Sequence, residues 1–166
     1  MYKRQGFERL VDEMGGMDVP VQQRMNDKAS GARFEPGWNR FGGQGALAFA
    51  RNRKDTPRGD FSRSENQGVL MLSALAKMRS QVADDGGIHL WLGWMLRHVQ
   101  VNAPLEALPG LAALARSVDP SRIANVVVPG RSGSARGQSV VHLDGPALAA
   151  LFDDLRADGV LGTAAP

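Results

Sequence analysis

The sequence predicts a fold of the α/β or α+β class, in which helices and strands alternate along the chain. Apolar residues recur at helical spacing in several separate segments, the first of which carries Phe7, Leu10 and Met14. Short runs with strand-like patterns, such as residues 123–128, lie between these segments. Because the chain has 166 residues, we expect both kinds of element to share one core of ordinary size.

The first part of the chain is predicted to contain a helix, an edge strand and a loop. The first helix ends at a pair of glycines, because glycine can adopt the left-handed conformation that closes a helix. Residues 17–21 alternate as a strand does, and Pro20, which lacks an amide hydrogen, places that strand at an edge. Residues 26–43 are rich in Gly, Asn, Asp and Pro and are predicted to be a loop, and residues 45–50 a short helix.

Three further helices are predicted in the middle of the chain, each with apolar residues on one face. They span residues 64–82, 88–101 and 105–118. Pro109 lies in the first turn of the last of these helices, where a missing amide hydrogen costs little. The middle of the chain is therefore expected to be mainly helical.

The last part of the chain is predicted to hold two strands and a final helix. Residues 123–128 form an uninterrupted apolar run that suits a buried strand, and residues 138–143 form a second strand. Residues 130–137 between them are predicted to be a flexible turn of Gly, Ser and Arg. The final helix covers residues 144–156 and is closed by Gly159.

Composition excludes several kinds of chemistry. The chain has no cysteine, so it can form no disulfide, thiolate nucleophile or cysteine-bound metal cluster. The apolar stretch at residues 86–96 is too short to cross a bilayer, and no secretory signal is expected at the N-terminus. His89, His98 and His142 share no ligand spacing, so we assign no metal to the histidines.

Positive charge is concentrated in one segment. Residues 51–63 contain five basic and two acidic residues, a difference that equals the net charge of +3 for the whole chain. An anion attracted by electrostatics should therefore be drawn to this segment. The alternative interpretation is a solvated loop of basic residues.

One constellation in and beside this segment has the chemistry of an oligophosphate cradle. Arg51 and Arg53 lie two residues apart, a spacing that in an extended chain directs both guanidiniums to one side. There they could hold a phosphate or pyrophosphate by paired charge-assisted hydrogen bonds. Asp60 could orient one of these arginines or accept a proton. Arg63 and Gln67 lie four residues apart on the opening turns of the long helix, where amide hydrogens also favour anions.

In their order and spacing, these motifs resemble the LytR-CpsA-Psr family, whose domain is also called the cell envelope-related transcriptional attenuator domain. The resemblance rests first on Arg-x-Arg followed by Asp-x-x-Arg-x-x-x-Gln within residues 51–67. Residues 7–19 are similar to the family signature "Phe…Leu-Val-Asp…Gly-Gly-Val-Asp-Val". The closing portion of the family is matched by residues 128–130, 139–144 and 151–152. The resemblance covers nearly the whole chain apart from residues 84–100.

The resemblance implies an α/β/α sandwich on a mixed sheet that binds polyprenyl pyrophosphate lipids. Such proteins transfer a glycopolymer from its lipid carrier onto peptidoglycan, with magnesium assisting, and are membrane-anchored and extracytoplasmic. By matching positions, Arg51, Arg53 and Gln67 would contact the pyrophosphate, and Asp60 and Arg63 would be catalytic residues supporting that pocket. The implied partners are a polyprenyl-pyrophosphate-linked glycopolymer and a peptidoglycan acceptor.

The chain departs from the family pattern in two respects. The family carries magnesium-binding aspartates ahead of the Phe-Leu-Val-Asp segment, so Mg²⁺ is expected from the family while its ligands are absent from this chain. Asn66 stands where the family commonly has arginine. Residues 1–160 are therefore interpreted as a partial LytR-CpsA-Psr domain lacking its N-terminal half, and residues 161–166 as a frayed tail.

Alternatives to a cell-envelope glycopolymer phosphotransferase stay open. The chain could be an inactive polyprenyl-phosphate-binding remnant. A nucleic-acid-binding transcriptional attenuator is disfavoured, because the charge excess is confined to one short segment without a recognisable DNA-binding motif. Trp91 and Trp94 could line a channel for an isoprenoid tail, although an apolar helix is more often part of a core.

Overall fold

A computed structural model of the chain describes residues 2–53, 58–82, 85–98 and 104–159. The chain divides into two compact units, Met1–Asn125 and Val126–Pro166, which are described separately. Both units combine helices with strands, as the α/β prediction requires. Among the described helices, none is both long and apolar enough to cross a lipid bilayer. The tail predicted at residues 161–166 lies outside the described residues.

The first unit opens with a helix and two antiparallel strand pairs. Its first elements are α1 (Tyr2–Glu13), β1 (Met17–Val21), β2 (Met25–Asp27), β3 (Ala32–Phe34) and β4 (Gly37–Phe41). Strand β1 pairs with β4, and β2 pairs with β3. The predicted first helix and the strand at residues 17–21 are confirmed, and Pro20 lies in a two-stranded sheet, in which each strand is an edge. The described strands form separate antiparallel pairs rather than one continuous sheet.

The prediction that residues 26–43 form a loop is wrong. Three strands occupy most of that segment, because buried residues recur between exposed ones: Ala32 and Phe41 are buried, whereas Arg33 and Arg40 are exposed. Successive side chains of a strand point to opposite faces, so the apolar residues face the core and the arginines face solvent. The glycines that suggested a loop serve the turns, and Gly31 there has a positive φ of 81°.

Four α-helices complete the first unit. They are α2 (Gly43–Arg51), α3 (Asp60–Gln81), α4 (Asp85–His98) and α5 (Leu108–Ser117). All four were predicted, with shifted ends: α3 begins at Asp60 rather than at residue 64, and a 3₁₀ turn, Leu105–Ala107, precedes α5. Pro109 lies in the first turn of α5, as predicted. The predicted end of the helix at residues 99–101 lies outside the described residues.

The core of the first unit joins α1, the four strands, α2 and α3. Its buried residues are Val11, Met14, Met17, Val19, Val21, Met25, Ala32, Phe41, Ala46, Ala48, Phe49 and Leu70. Phe34, Phe41 and Phe49 pack their rings together, with centroids 4.4 to 6.2 Å apart. Because α2 buries Phe49 in this core, the C-terminal end of α2 is held in place and carries Arg51 at the surface.

An ion-pair cluster joins the C-terminal ends of α1 and α4. The carboxylate of Glu13 accepts a hydrogen bond from His98 Nε2 at 2.8 Å and from Arg97 Nη2 at 3.1 Å. The His98 hydrogen bond is the largest cause that lowers the pKa of Glu13 below its ordinary value, and the charges of His98 and Arg97 contribute. This cluster therefore favours the ionised form of Glu13.

The prediction of a buried strand at residues 123–128 is wrong. No strand forms there, and Ile123, Val126 and Val128 are 38%, 47% and 41% exposed. A β-branched apolar run becomes a strand when a neighbouring strand takes up its backbone hydrogen bonds, and no described strand pairs with it.

The second unit is a β-hairpin followed by a helix. Its elements are β5 (Gly130–Ala135), β6 (Gln138–Leu143) and α6 (Gly145–Asp158). The predicted strand at residues 138–143 and the final helix are confirmed, and Asp144 caps α6 by accepting a hydrogen bond from the Ala147 amide at 3.1 Å. The flexible turn predicted at residues 130–137 is wrong for its first six residues, which form β5.

The turn of this hairpin contains two residues with positive φ. Arg136 has a φ of 52° and Gly137 a φ of 76°, the signs found in the tight two-residue turns that match the twist of the flanking strands. The Gly- and Ser-rich sequence before the turn lacks apolar alternation, so its strand character depends on pairing with β6.

Candidate functional site

A polar cavity of about 360 Å³ lies in the first unit and is called here the arginine pocket. Residues from α1, the end of β2 and the turn after it, α2 and the segment after it, and α3 line it. They are Arg4, Asp27, Ala29, Ser30, Ala50, Arg51, Arg53, Arg63 and Gln67. Four of the five site residues predicted from sequence are therefore brought together in one concave surface. Residues 54–57 of the predicted basic segment lie outside the described residues.

The end of α2 places two arginines at the arginine pocket. Arg51 is the last residue of α2, and Asn52 after it is extended, with φ −64° and ψ 131°. Asn52 is fully buried, so the chain is anchored between the two arginines. One extended residue between Arg51 and Arg53 leads both side chains to the same cavity, as the spacing predicted.

Asp60 does not line the arginine pocket but contacts two of its arginines. Its Oδ1 atom lies 3.4 Å from Arg53 Nη1 and 3.2 Å from Arg63 Nη2. These side chains are 41% to 54% exposed, so the pairs contribute little to stability. Their effect is orientation: one carboxylate at the start of α3 holds an arginine on the preceding segment and an arginine in the first turn of the helix.

Gln67 joins α3 to the end of α2. Its Nε2 atom donates a hydrogen bond to the Ala50 carbonyl oxygen at 3.3 Å. Gln67 lies one turn after Arg63, so both side chains are presented on the same side of α3. This bond fixes the position of Gln67 next to Arg51.

The sequence analysis missed Arg4 and Asp27 as residues of this pocket. Arg4 belongs to α1, and no spacing in the sequence relates it to residues 51–67. Asp27 is 7% exposed, and its Oδ1 atom accepts a hydrogen bond from the Ala29 amide at 2.9 Å. That bond is an Asx turn, and an aspartate two residues before Ala29-Ser30-Gly31 was a recognisable signal for it.

The arginine pocket is strongly positive. Four arginines and one aspartate line it, and arginine stays protonated at all relevant pH values. In the part of the chain that the structure describes, Arg53 and Arg63 have Asp60 as a carboxylate partner, whereas Arg4 and Arg51 have none. Arg4 and Arg51 therefore have charge and hydrogen-bond donors available for a bound anion.

The described acidic residues near the arginine pocket take part in other contacts. Within the described ranges, no group of three acidic or histidine side chains is placed to hold a metal ion. Asp27 takes part in its turn, and Asp60 is paired with two arginines. The four arginines that line the pocket suit an anion.

An apolar cavity of about 270 Å³ lies between α3, α4 and α5 of the first unit. Its lining residues are Met78, Val82, Ile88, Trp91, Leu92, Met95, Leu108, Leu111, Ala112 and Ala115. Trp91 and Trp94 also pack against the core, with ring centroids 6.1 Å apart. The structure therefore gives Trp91 both of the places considered from sequence, in the core and beside a cavity.

The fold and the motifs of the arginine pocket together define a LytR-CpsA-Psr-type domain. The sequence model of the LytR_cpsA_psr family matches residues 2–157, so the chain belongs to that family and the resemblance found from sequence is confirmed. The match includes all five predicted site residues.

Curated relatives match part of the chain. LcpA of Corynebacterium glutamicum, a cell wall biosynthesis protein, is 37% identical over 75 residues, which are 45% of this chain and 14% of that protein. TagU of Bacillus mycoides, a polyisoprenyl-teichoic acid–peptidoglycan teichoic acid transferase, is 40% identical over 73 residues, which are 44% of this chain and 23% of that protein. The matched part is thus less than a quarter of either relative.

Solved structures share the fold over nearly the whole chain. Bacillus subtilis TagV superposes with a TM-score of 0.73 at 23% identity, over 93% of this chain and 60% of that one. TagT bound to LIIa-WTA superposes with a TM-score of 0.70 at 23% identity, over 95% of this chain and 59% of that one. These similarities confirm the predicted fold class, and the chain spans about three fifths of the length of these structures.

Proposed function

We propose that the chain binds the diphosphate of a polyprenyl-linked glycopolymer in the arginine pocket and takes part in transfer of that glycopolymer to peptidoglycan. The observation that carries the proposal is the convergence of Arg51, Arg53, Arg63 and Gln67 on one cavity. The names of LcpA and TagU, a cell wall biosynthesis protein and a teichoic acid transferase, support the same class of substrate. The proposed location is the extracytoplasmic side of the cell envelope.

The arginine pocket has the donors that a diphosphate requires. Each guanidinium presents a planar set of N–H groups that matches two phosphate oxygens, and such charge-assisted bonds are about twice as strong as neutral ones. Arg51 and Arg4 would bind the diphosphate with N–H groups that, among the described residues, contact no carboxylate. Arg53 and Arg63, already oriented by Asp60, would contact the anion from the side of α3.

In the proposed transfer, a hydroxyl oxygen of the acceptor attacks the phosphorus that carries the glycopolymer. The bond to the bridging oxygen breaks, and polyprenyl phosphate leaves with that oxygen. Negative charge spreads over the phosphoryl oxygens during this step, and fixed arginines stabilise it. Asp60 is the proposed acceptor of the hydroxyl proton. A diphosphate that engages Arg53 and Arg63 would take over the donors that contact Asp60, which would leave its carboxylate available as a base.

The apolar cavity is the proposed site for the polyprenyl tail. Every residue lining it has an apolar or largely apolar side chain, and Trp91 and Met95 provide broad contact area. Transfer of hydrocarbon from water to such a surface is favourable in proportion to the area covered.

A second candidate is a binder of polyprenyl phosphates without transferase activity. The observation that favours it is that Asp60, the proposed proton acceptor, is paired with two arginines and does not line the arginine pocket. A nucleic-acid-binding role has weaker support, because duplex binders spread basic residues along a helix or face, and here four arginines line one concave pocket.

Calorimetric titration separates these functions. We expect a short-chain polyprenyl diphosphate to bind, the corresponding polyprenyl alcohol to bind much more weakly, and duplex DNA not to bind at matched ionic strength. Equal affinity for the alcohol and the diphosphate would refute the role of the arginine pocket. Release of polyprenyl phosphate from a glycopolymer-bearing lipid then distinguishes the transferase from the inactive binder, which would bind tightly without turnover.

A further inference from the structure

A second polar cavity of about 160 Å³ lies beside α3 in the first unit and is called here the amide pocket. Gln22 and Gln23 line it from the segment after β1, and Ser62 and Asn66 line it from α3. Arg58 and Glu65 also contribute to its wall, and they pair with each other at 2.7 Å. The amide pocket therefore carries amide and hydroxyl groups and no net charge, unlike the arginine pocket.

Asn66 supplies a hydrogen-bond donor without an acceptor. The side chain is 9% exposed, and its Nδ2 atom is buried with no partner in the structure. A buried polar group is normally hydrogen-bonded, so an exception calls for an explanation. Asn66 lines the amide pocket, and rotation about its broad terminal torsion would bring the amide to an acceptor bound there.

The amide pocket adjoins the arginine pocket along two elements. On α3, Ser62 and Asn66 line the amide pocket, whereas their immediate neighbours Arg63 and Gln67 line the arginine pocket. The residues of α3 that line one pocket are therefore offset by one position from those that line the other, which is a rotation of about 100° around the helix. On β2, Met25 lines the amide pocket and Asp27 the arginine pocket, so at that wall they are separated by about 7 Å of chain.

We propose that the amide pocket binds a neutral sugar residue that is attached to the diphosphate held in the arginine pocket. Sugar hydroxyl and acetamido groups both donate and accept hydrogen bonds. Side-chain amides and a hydroxyl do the same, whereas a cluster of charges of one sign offers only donors or only acceptors. A separation of about 7 Å at the shared wall is short enough for one ligand to place a phosphate in one pocket and a sugar in the other. The inference rests on the proposed function, because the sugar that it places in the amide pocket is the one attached to the diphosphate.

The test compares two ligands that differ by one sugar. Calorimetric titration uses a short-chain polyprenyl diphosphate and the same lipid diphosphate bearing one N-acetylglucosamine. The protein should bind the sugar-bearing lipid about fivefold more tightly, the size of one neutral hydrogen bond. Asn66→Leu should remove most of this difference and leave the affinity for the sugar-free lipid unchanged. Ser64→Ala, an exposed position on α3 that lines neither pocket, is the matched control.

Two results would overturn the proposal. One is equal affinity of the unaltered protein for both lipids, and the other is an Asn66→Leu variant that keeps the full difference. Asn66→Leu is expected to fold, because it removes an unpartnered amide, and thermal unfolding checks this. If it does not fold, Gln23→Ala, which changes a partly exposed residue of the same pocket, replaces it with the same expected outcome.

Failure of the proposed function is distinguishable from failure of this inference. If neither lipid binds, the proposed function is refuted, and the amide pocket is tested with free N-acetylglucosamine by NMR. The side-chain amide signal of Asn66, assigned by its absence in Asn66→Leu, should shift on titration. A signal that stays unchanged at the highest sugar concentration would overturn the sugar assignment, whatever the lipids do.

Discussion

Replacement of Arg51 by alanine is expected to weaken diphosphate binding more than replacement of Arg53 by alanine does. Arg51 is exposed at the end of α2, lines the pocket and has no carboxylate partner among the described residues. The substitution therefore removes a full positive charge and its hydrogen-bond donors, and it leaves no carboxylate of the described residues without its arginine. The neighbouring Arg53 shares its charge with Asp60, so Arg53→Ala should have the smaller effect of the two.

The magnitude follows from the kind of bond that is lost. A hydrogen bond to a charged group contributes about 1.5–3 kcal/mol, and about 1.4 kcal/mol corresponds to a tenfold change in affinity. Arg51→Ala should thus weaken binding of a short-chain polyprenyl diphosphate by about tenfold to about a hundredfold. Arg53→Ala should weaken it by about tenfold, at the lower end because that side chain is 54% exposed and paired.

Calorimetric titration at two salt concentrations measures both variants. Arg24→Ala is the matched control, because it removes the same charge from an exposed side chain outside the arginine pocket, where Arg24 pairs with Glu35 at 3.0 Å. The control should retain nearly the full affinity. Unchanged affinity in both pocket variants, or an equal loss in Arg24→Ala, would refute the assignment of the site.

Three further predictions concern the scaffold that holds the pocket. Phe49→Ala should lower the free energy of unfolding in urea by about 3–5 kcal/mol, because Phe49 is 1% exposed in the core; a loss below about 1 kcal/mol would contradict this packing. Gly43→Ala should destabilise the protein in the same assay, since an added Cβ would collide with the backbone of Glu8, whereas Gly110→Ala, with open space around it, should not. Because the pKa of Glu13 is lowered in the folded protein, the unaltered protein should be more stable than Glu13→Gln at pH values above the ordinary pKa of 4.5, and this advantage should be lost as the pH falls through the lower folded pKa. Urea denaturation of both proteins across this pH range measures the advantage, and a difference in unfolding free energy that does not change with pH would contradict the prediction.

Local periodicity explains why the helices could be predicted. The first helix shows its apolar face in residues three and four apart, and a helix satisfies its backbone hydrogen bonds within its own segment. The same reasoning located α3, and with it the Arg63–Gln67 pair, whereas α2, which ends at Arg51, was predicted from a short apolar segment of small residues. The start of α3 was placed too late because its first turn is mainly polar, and the single apolar residue there, Phe61, does not show a face.

Strands were harder to predict because their partners lie elsewhere in the chain. Residues 123–128 have the composition of a buried strand, yet no described strand pairs with them. Residues 130–135 have the composition of a turn, yet they pair with β6 along their full length. In both cases pairing decides the structure, and pairing is a property of the fold rather than of the segment.

The candidate site was predictable where one segment and its adjoining helix carry the chemistry. Arg51, Arg53 and Arg63 all lie within residues 51–63, and their spacing was enough to predict that they belong to one site. Arg4 and Asp27 reach the arginine pocket from α1 and from the end of β2, so the fold alone brings them there. The amide pocket could not be predicted either, because its residues come from two segments that are distant in the sequence.

The most direct test of the central claim is an experimental structure of the chain with a short-chain polyprenyl diphosphate bound. We predict that the phosphate oxygens lie within hydrogen-bonding distance of the guanidinium groups of Arg51 and Arg53. Phosphates located away from the arginine pocket, with these two guanidiniums contacting solvent, would contradict it.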